Sequence, residues 1–180
     1  MKSFRFLLLT SLFALPFITH AQPLLEQHDP VGQNVRVAWA IDSNGGVGND
    51  SFNGIEVAYA SKIFPLDQML ISYTHTWPQD ASTDRVLIGI EEFYPLCEVF
   101  KLYGVAGVGY MWTDMDDGQG SDNATGWVGK IGGGFIYDLN KSFDLYAEMA
   151  YLASDRNLWM DGNDITSSNW EALLGFRFKY

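Results

Sequence analysis

The chain ends on a strand that suits lipid better than water. Trp170, Ala172, Leu174, Phe176, Phe178 and Tyr180 form an apolar row, while Glu171, Arg177 and Lys179 fall on the opposite parity. Alternate side chains of a β-strand point to opposite faces. One face of this segment therefore carries four aromatic rings and the other carries charge. In water such a strand invites pairing with other chains. A closed sheet in a bilayer needs this pattern, with apolar side chains out to lipid, polar ones inward and aromatics at the interfaces.

The N-terminus explains how such a chain reaches a membrane. Lys2 and Arg5 precede an apolar run from Phe6 to Ile18, and Thr19-His20-Ala21 fits a small-x-small cleavage site. The run is too short to span a bilayer as a helix, so residues 1–21 are expected to be an export signal. Residues 22–180 are expected to be a single barrel domain. Without Lys2 and Arg5, 9 basic residues stand against 22 acidic ones, a formal charge of −13. That balance argues against nucleic acid as a partner. Cys97 is the sole cysteine, which excludes an intramolecular disulfide and reads as a small apolar turn residue.

No later run has the length of a transmembrane helix, so entry into a membrane requires a closed barrel. Period-2 alternation marks eight segments, at about 33–42, 54–64, 68–77, 85–94, 98–112, 127–138, 143–153 and 169–180. Short connections at 65–67, 95–97 and 139–142 alternate with longer polar ones at 43–53, 78–84, 113–126 and 154–168. Such alternation predicts an all-β, eight-stranded antiparallel up-and-down transmembrane β-barrel, with tight turns at the periplasmic end and loops outside. A soluble lipocalin-like barrel would also alternate, but with a charged outer wall.

Charge assigns the faces. One parity, including Val37, Trp39, Val57, Ile71, Ile88, Val108, Ile131 and Met149, is nearly charge-free apart from Glu92, and is assigned to lipid. The other holds Arg36, Glu56, Lys62, Arg85, Glu91, Lys101, Lys130, Asp144, Glu148, Glu171, Arg177 and Lys179. A basic side chain on the lipid face near the midplane would cost about 2–4 kcal/mol, so this set is assigned to the lumen. Eight strands enclose about enough width for side chains alone. The expected core of the site is thus an ion-paired plug of Arg36, Glu91, Lys101, Lys130, Glu148, Glu171 and Arg177. Glu148 is expected to pair with Lys130 or Arg177. Gly104, Gly107 and Gly109, with Gly129, Gly132, Gly133 and Gly134, relieve crowding and curvature.

The long connections and their rims are acidic. Asp42, Asp50, Asp80, Asp84, Asp114, Asp116, Asp117, Asp122, Asp155, Asp161 and Asp164 face one cation, Arg156. The run from Asp114 to Asp122 lacks the ligand spacing and terminal Glu of an EF-hand, and no metal site or cofactor is assigned. Trp159 and Met160 are apolar anchors inside the fourth loop. With Asp114, Asp116 and Asp117 they are the candidate contacts to a surface partner. Among histidines, His28 lies in the N-terminal extension. His75 sits on the lipid-facing parity, where its same-face neighbours two residues away are Tyr73 and Trp77 and a nucleophile would have to come from another strand. No catalytic residue is assigned.

Three stretches carry a resemblance. Leu102-Tyr103-Gly104-Val105-Ala106-Gly107-Val108-Gly109-Tyr110, then Gly126-Trp127-Val128-Gly129-Lys130-Ile131-Gly132-Gly133-Gly134-Phe135, and Tyr146-Ala147-Glu148-Met149-Ala150-Tyr151 resemble strands of the small outer-membrane β-barrel family of OmpA-like, OmpX-like and opacity-type proteins. The closing Leu174-Gly175-Phe176-Arg177-Phe178-Lys179-Tyr180 resembles their C-terminal signal. That likeness implies that the barrel-assembly machinery reads Phe176, Phe178 and Tyr180. Unlike full-length OmpA, the sequence shows no periplasmic domain after Tyr180, so peptidoglycan anchoring is not implied. The resemblance implies a place in the bacterial outer membrane, with outer-membrane lipid and lipopolysaccharide around the barrel; a monomer is expected. The expected role is non-enzymatic: envelope structure, or adhesin-like surface interaction through the acidic loops. A narrow passive porin is the alternative, which a wide water path would favour. A lipid-modifying enzyme is the third reading, which a Ser or Asp converging on His75 would favour.

Overall fold

A computed structural model describes residues 32–43, 51–63, 66–77, 81–116, 121–154, 157–160, 163–166 and 168–180. The residues assigned to the export signal lie outside the described residues. The strands are β1 (Gln33–Ser43), β2 (Ser51–Ile63), β3 (Leu66–Trp77), β4 (Ala81–Pro95), β5 (Phe100–Asp116), β6 (Ser121–Asp138), β7 (Phe143–Ser154), β8 (Asn157–Met160), β9 (Asn163–Thr166) and β10 (Asn169–Lys179). Eight of them close in the order β1-β10-β7-β6-β5-β4-β3-β2, every pair antiparallel. β8 and β9 pair only with each other, as a small hairpin between β7 and β10.

Turn chemistry sets the short ends. Phe100 O accepts from the backbone N–H groups of Leu96 and Cys97, at 3.0 and 3.2 Å. The Asn140 side-chain oxygen accepts from Ser142 N at 2.8 Å and Phe143 N at 3.0 Å, the local bonding that makes Asn a turn former. Cys97 is exposed in its turn.

At the other end the strands outrun the sequence pattern. β4 begins at Ala81 rather than 85, β5 continues to Asp116, and β6 starts at Ser121. Residues expected in loops, including Asp84, Asp114 and Asp116, are therefore on strands. Ladder hydrogen bonding is made by the backbone, so it persists here after the apolar alternation of side chains has ended. The fourth connection likewise holds the β8–β9 hairpin rather than an irregular loop.

The faces separate by parity. Val57, Ile71, Ile88, Val108, Ile131, Met149 and Leu174 are exposed on the outer wall, while Arg36, Glu91, Lys130, Glu171 and Arg177 are buried inside. Lys62 departs from the expected lumen-facing set: it is exposed at the turn end of β2, where the register shifts between Ser61 and Ile63. The seam joins β1 to β10 over Asn34↔Lys179 through Ser43↔Trp170, and it places Arg36 directly opposite Arg177. Phe178 stacks edge-on against Phe143, with ring centroids 5.1 Å apart, and Tyr180 N donates to Gln33 O at 3.2 Å. Phe176, Phe178 and Tyr180 are all exposed on the outer wall.

Candidate functional site

The lumen holds two ionic clusters. In the half nearer the long connections, Lys130 from β6 is the hub. Its Nζ lies 2.6 Å from Glu148, 2.8 Å from Glu171 and 3.7 Å from Glu56. Arg85 from β4 bonds to Glu171 and lies 3.7 Å from Asp42. Neutral donors assist: Tyr103 Oη donates to Glu148 at 2.8 Å, and Thr74 Oγ1 to Glu56 at 3.3 Å. Asp42 Oδ1 is buried and has no hydrogen-bond partner.

Glycine makes this crossing geometrically feasible. Gly134 sits opposite Tyr103 in register. A Cβ on Gly134 would lie 2.9 Å from the Tyr103 ring and 2.9 Å from Glu148 Cα. The missing side chain is what lets the phenol reach across to Glu148.

Nearer the turns the cluster is built on arginine. Arg36 bonds both oxygens of Glu91, with Nη1 at 2.5 Å, and also donates to Asn34 at 3.0 Å and Gln68 at 3.3 Å. Its guanidinium lies 5.6 Å from the centroid of the Tyr146 ring. Arg177 donates from Nε to Asp144 at 2.7 Å and lies 5.6 Å from the Phe93 ring. Lys179 lies 2.5 Å from Asp144, and Lys101 2.9 Å from Asp138. Alongside the ionic clusters, Tyr103, Tyr146, Ile136, Leu70 and Leu173 form one buried apolar cluster with Ala38, Ala40, Ala58 and Ala60. Sequence reasoning looked only for charge and so missed Asn34, Gln68, Tyr103 and Tyr146. All four lie on the lumen parity and were visible there.

Two acidic residues counted with the outer loops sit elsewhere. Asp42 is buried on the lumen side of β1. Asp84 lies on the outer wall of β4, opposite His75 of β3. His75 Nδ1 is 2.8 Å from Asp84 Oδ1, Tyr73 Oη donates to the same oxygen, and Trp112 of β5 stands opposite Asp84 in register. The His75 ring tilts against Trp77, with centroids 5.5 Å apart. No serine side chain among the described residues bonds to His75. The pair escaped the sequence because residues 78–84 read as loop. Once β4 starts at Ala81, the tight hairpin register brings residue 75 to residue 84.

Of the candidate loop contacts, Asp114 is exposed on β5. Asp116 ends β5, and Trp159 and Met160 belong to β8, but their side chains lie outside what the structure describes, as does Asp117 altogether. No group of three or more His, Cys, Asp or Glu side chains suited to a metal occurs among the described residues.

Comparison with known proteins agrees with this architecture. No curated protein matches the sequence. Among solved structures, the barrel is similar to Neisserial surface protein A, at 16% identity and a TM-score of 0.63, over 82% of this chain and 96% of that one. It is similar to the N-terminal β-barrel domain of Pseudomonas aeruginosa OprF, at 11% identity and 0.60, over 82% and 97%. It also resembles Ail, the attachment invasion locus protein of Yersinia pestis, at 14% and 0.58, over 83% and 99%. At these identities the likeness is one of fold. The model of the outer membrane protein beta-barrel domain matches residues 11–178. With its apolar outer wall, closed ring and charged interior, the chain belongs to that family and is a protein of the bacterial outer membrane.

Proposed function

We propose that this protein is a non-enzymatic, closed barrel that serves the cell envelope and meets a partner through its acidic outer connections. The observation that carries the reading is the filled lumen: Arg85–Glu171 and Lys130–Glu56 join buried groups from opposite walls, and Arg36–Glu91 and the Tyr103 phenol on Glu148 span non-adjacent strands. Side chains of this length occupy the width that eight strands enclose. What remains for function is the outer pole. In the sequence, the long connections and their rims carry Asp50, Asp80, Asp114, Asp116, Asp117, Asp122, Asp155, Asp161 and Asp164 against Arg156, and such a balance favours a cationic partner surface. Ail has been solved in complex with a heparin analogue, sucrose octasulfate. A polyanion of that kind would be repelled by this chain's outer connections.

Planar-bilayer recording of the refolded protein tests the closed-lumen reading. The expected trace shows no steady conductance, only rare events when ion pairs exchange. Gly107 faces the lumen opposite Gly89, where an added Cβ would lie 3.0 Å from Ile88 O. Steady ohmic conductance abolished by Gly107→Leu would replace this reading with a narrow passive porin.

The His75–Asp84 pair favours a second reading, a lipid-modifying enzyme. A histidine oriented by a carboxylate is the base-and-orienter half of a hydrolytic site. It stands second because no hydroxyl or thiol nucleophile among the described residues bonds to the ring.

A further inference from the structure

The outer wall is almost free of charge, which makes Asp84 conspicuous. Ionisable side chains facing lipid are costly and mark function. The protein stabilises this one with two donors from β3, Tyr73 and His75, and sets Trp112 of β5 opposite it in register. The position is also defined in depth. Asp84 lies four residues into β4 and His75 lies three residues from the end of β3, at the long-connection end. In this family that end faces the outside, so the cluster sits in the outer leaflet, near the boundary between headgroups and chains.

Directly towards the midplane the same wall is indented. Val35, Val57, Tyr59, Ile71, Tyr73 and Val86 line an open apolar furrow of about 340 Å³ across β1 to β4. Tyr73 belongs to both features: its ring borders the furrow and its hydroxyl bonds to Asp84. Above it, Trp39 and Trp77 meet edge-on, with centroids 5.8 Å apart, and Trp39 Nε1 donates to Asn53 at 3.2 Å. The His75 side chain remains 39% exposed. Because the carboxylate only accepts, Nδ1 carries the hydrogen of their bond, and Nε2 is the ring atom left for a ligand. In the neutral ring it accepts a hydrogen bond from an amide N–H or a hydroxyl.

The geometry points to a binding site for one outer-leaflet glycolipid of the lipopolysaccharide class. An acyl chain lies in the Val57–Ile71–Val86 furrow, and the amide or hydroxyl at its head donates to His75 Nε2. The chemistry selects this occupant. The furrow takes a chain, and the Asp84 carboxylate above it disfavours direct contact with a phosphate. A neutral donor group close to the chain origin satisfies the histidine. The Asp84 carboxylate acts as a positioning residue, fixing the ring so that Nε2 faces the lipid.

The test uses the full folded barrel in phosphatidylcholine nanodiscs, with imidazole nitrogen resonances recorded as purified lipid A is added. The expected result is a saturable shift at His75 Nε2. Asp84→Asn and Val57→Trp should each weaken the apparent affinity about tenfold, the equivalent of roughly one hydrogen bond. Ile131→Trp on β6, also exposed on the outer wall but outside the furrow, should leave it unchanged. Heat-modifiable mobility on gels confirms that each variant is folded, and Tyr73→Phe, which keeps the wall apolar, stands in for any that is not. A shift that never saturates, or equal affinity in all variants, would reduce the site to ordinary annular lipid and overturn the proposal. Release of free fatty acid from the added lipid would overturn it in favour of hydrolysis.

Discussion

Towards the long connections, two cations, Arg85 and Lys130, serve four carboxylates, Asp42, Glu56, Glu148 and Glu171. Towards the turns, four cations, Arg36, Lys101, Arg177 and Lys179, serve three, Glu91, Asp138 and Asp144. The two halves use different chemistry. A lysine ammonium is a compact charge with three rotatable donors, suited to sharing among several acceptors. An arginine guanidinium is a planar fork that binds one carboxylate at two points and stacks on rings, as Arg36 does with Glu91 and Tyr146. The outer half is thus a hub whose failure strands several charges; the turn half holds one self-contained lock, Arg36–Glu91, beside a chain of contacts from Arg177 through Asp144, Lys179 and Asp138 to Lys101.

Removing the hub should have the largest effect. Lys130→Met leaves Glu148 and Glu56 without a cation, because only Glu171 keeps Arg85. Breaking a buried pair costs about 3–5 kcal/mol, and this variant is expected at the upper end when urea unfolding is followed by tryptophan fluorescence in lipid vesicles. A loss below about 1 kcal/mol would erase the distinction between hub and lock.

A single lock should matter less and be repairable. Arg36→Met exposes only Glu91, with an expected loss of about 3 kcal/mol. The double variant Arg36→Met/Glu91→Met should recover most of it, since a buried pair replaced by apolar side chains of similar size is often neutral. If the double variant were as unstable as the single one, the neighbouring Asn34 and Gln68 bonds would be carrying the stability instead.

The smallest effect sharpens the comparison by its sign. Asp42 adds negative charge to a half that already has excess, and its Oδ1 has no partner. Asp42→Asn should be neutral or stabilising by about 0.5 kcal/mol in the same assay. A loss greater than about 1 kcal/mol would show that the 3.7 Å contact with Arg85 is a working ion pair.

Which of this was legible in the sequence follows from where lipid enforces a rule. At the level of Val57, Ile71 and Ile88 the outer face must be apolar, and parity alone sends Arg36, Glu91, Lys130, Glu148, Glu171 and Arg177 inward. The pairing of Glu148 with Lys130 follows once their strands are neighbours. The partner of Arg36 does not, because Glu91 reaches it across the lumen from β4 rather than from an adjacent strand. At the rims the rule lapses. Lys62 is free to turn outward, Asp42 reads as loop although its parity places it inside, and Ser82, Thr83 and Asp84 carry no apolar alternation to reveal a continuing strand. The outer-wall pair was hidden for that reason: its two halves meet only in a register that polar residues define.

The arginines that face each other across the β1–β10 seam also impose an order of events. Like charges directly opposite in a ladder repel, and Arg36 and Arg177 stand in register where the first strand meets the last. Arg36 is neutralised by Glu91 from β4, and Arg177 by Asp144 from β7. Neither carboxylate belongs to a seam strand. Closure is therefore repulsive until both hairpins that carry these carboxylates are in place. The seam also joins the most distant parts of the chain, and loop-closure entropy makes such contacts slow to form. Charge and chain length act in the same direction: the ring can shut only after its interior has been assembled, and a barrel missing either carboxylate should stall as an open sheet.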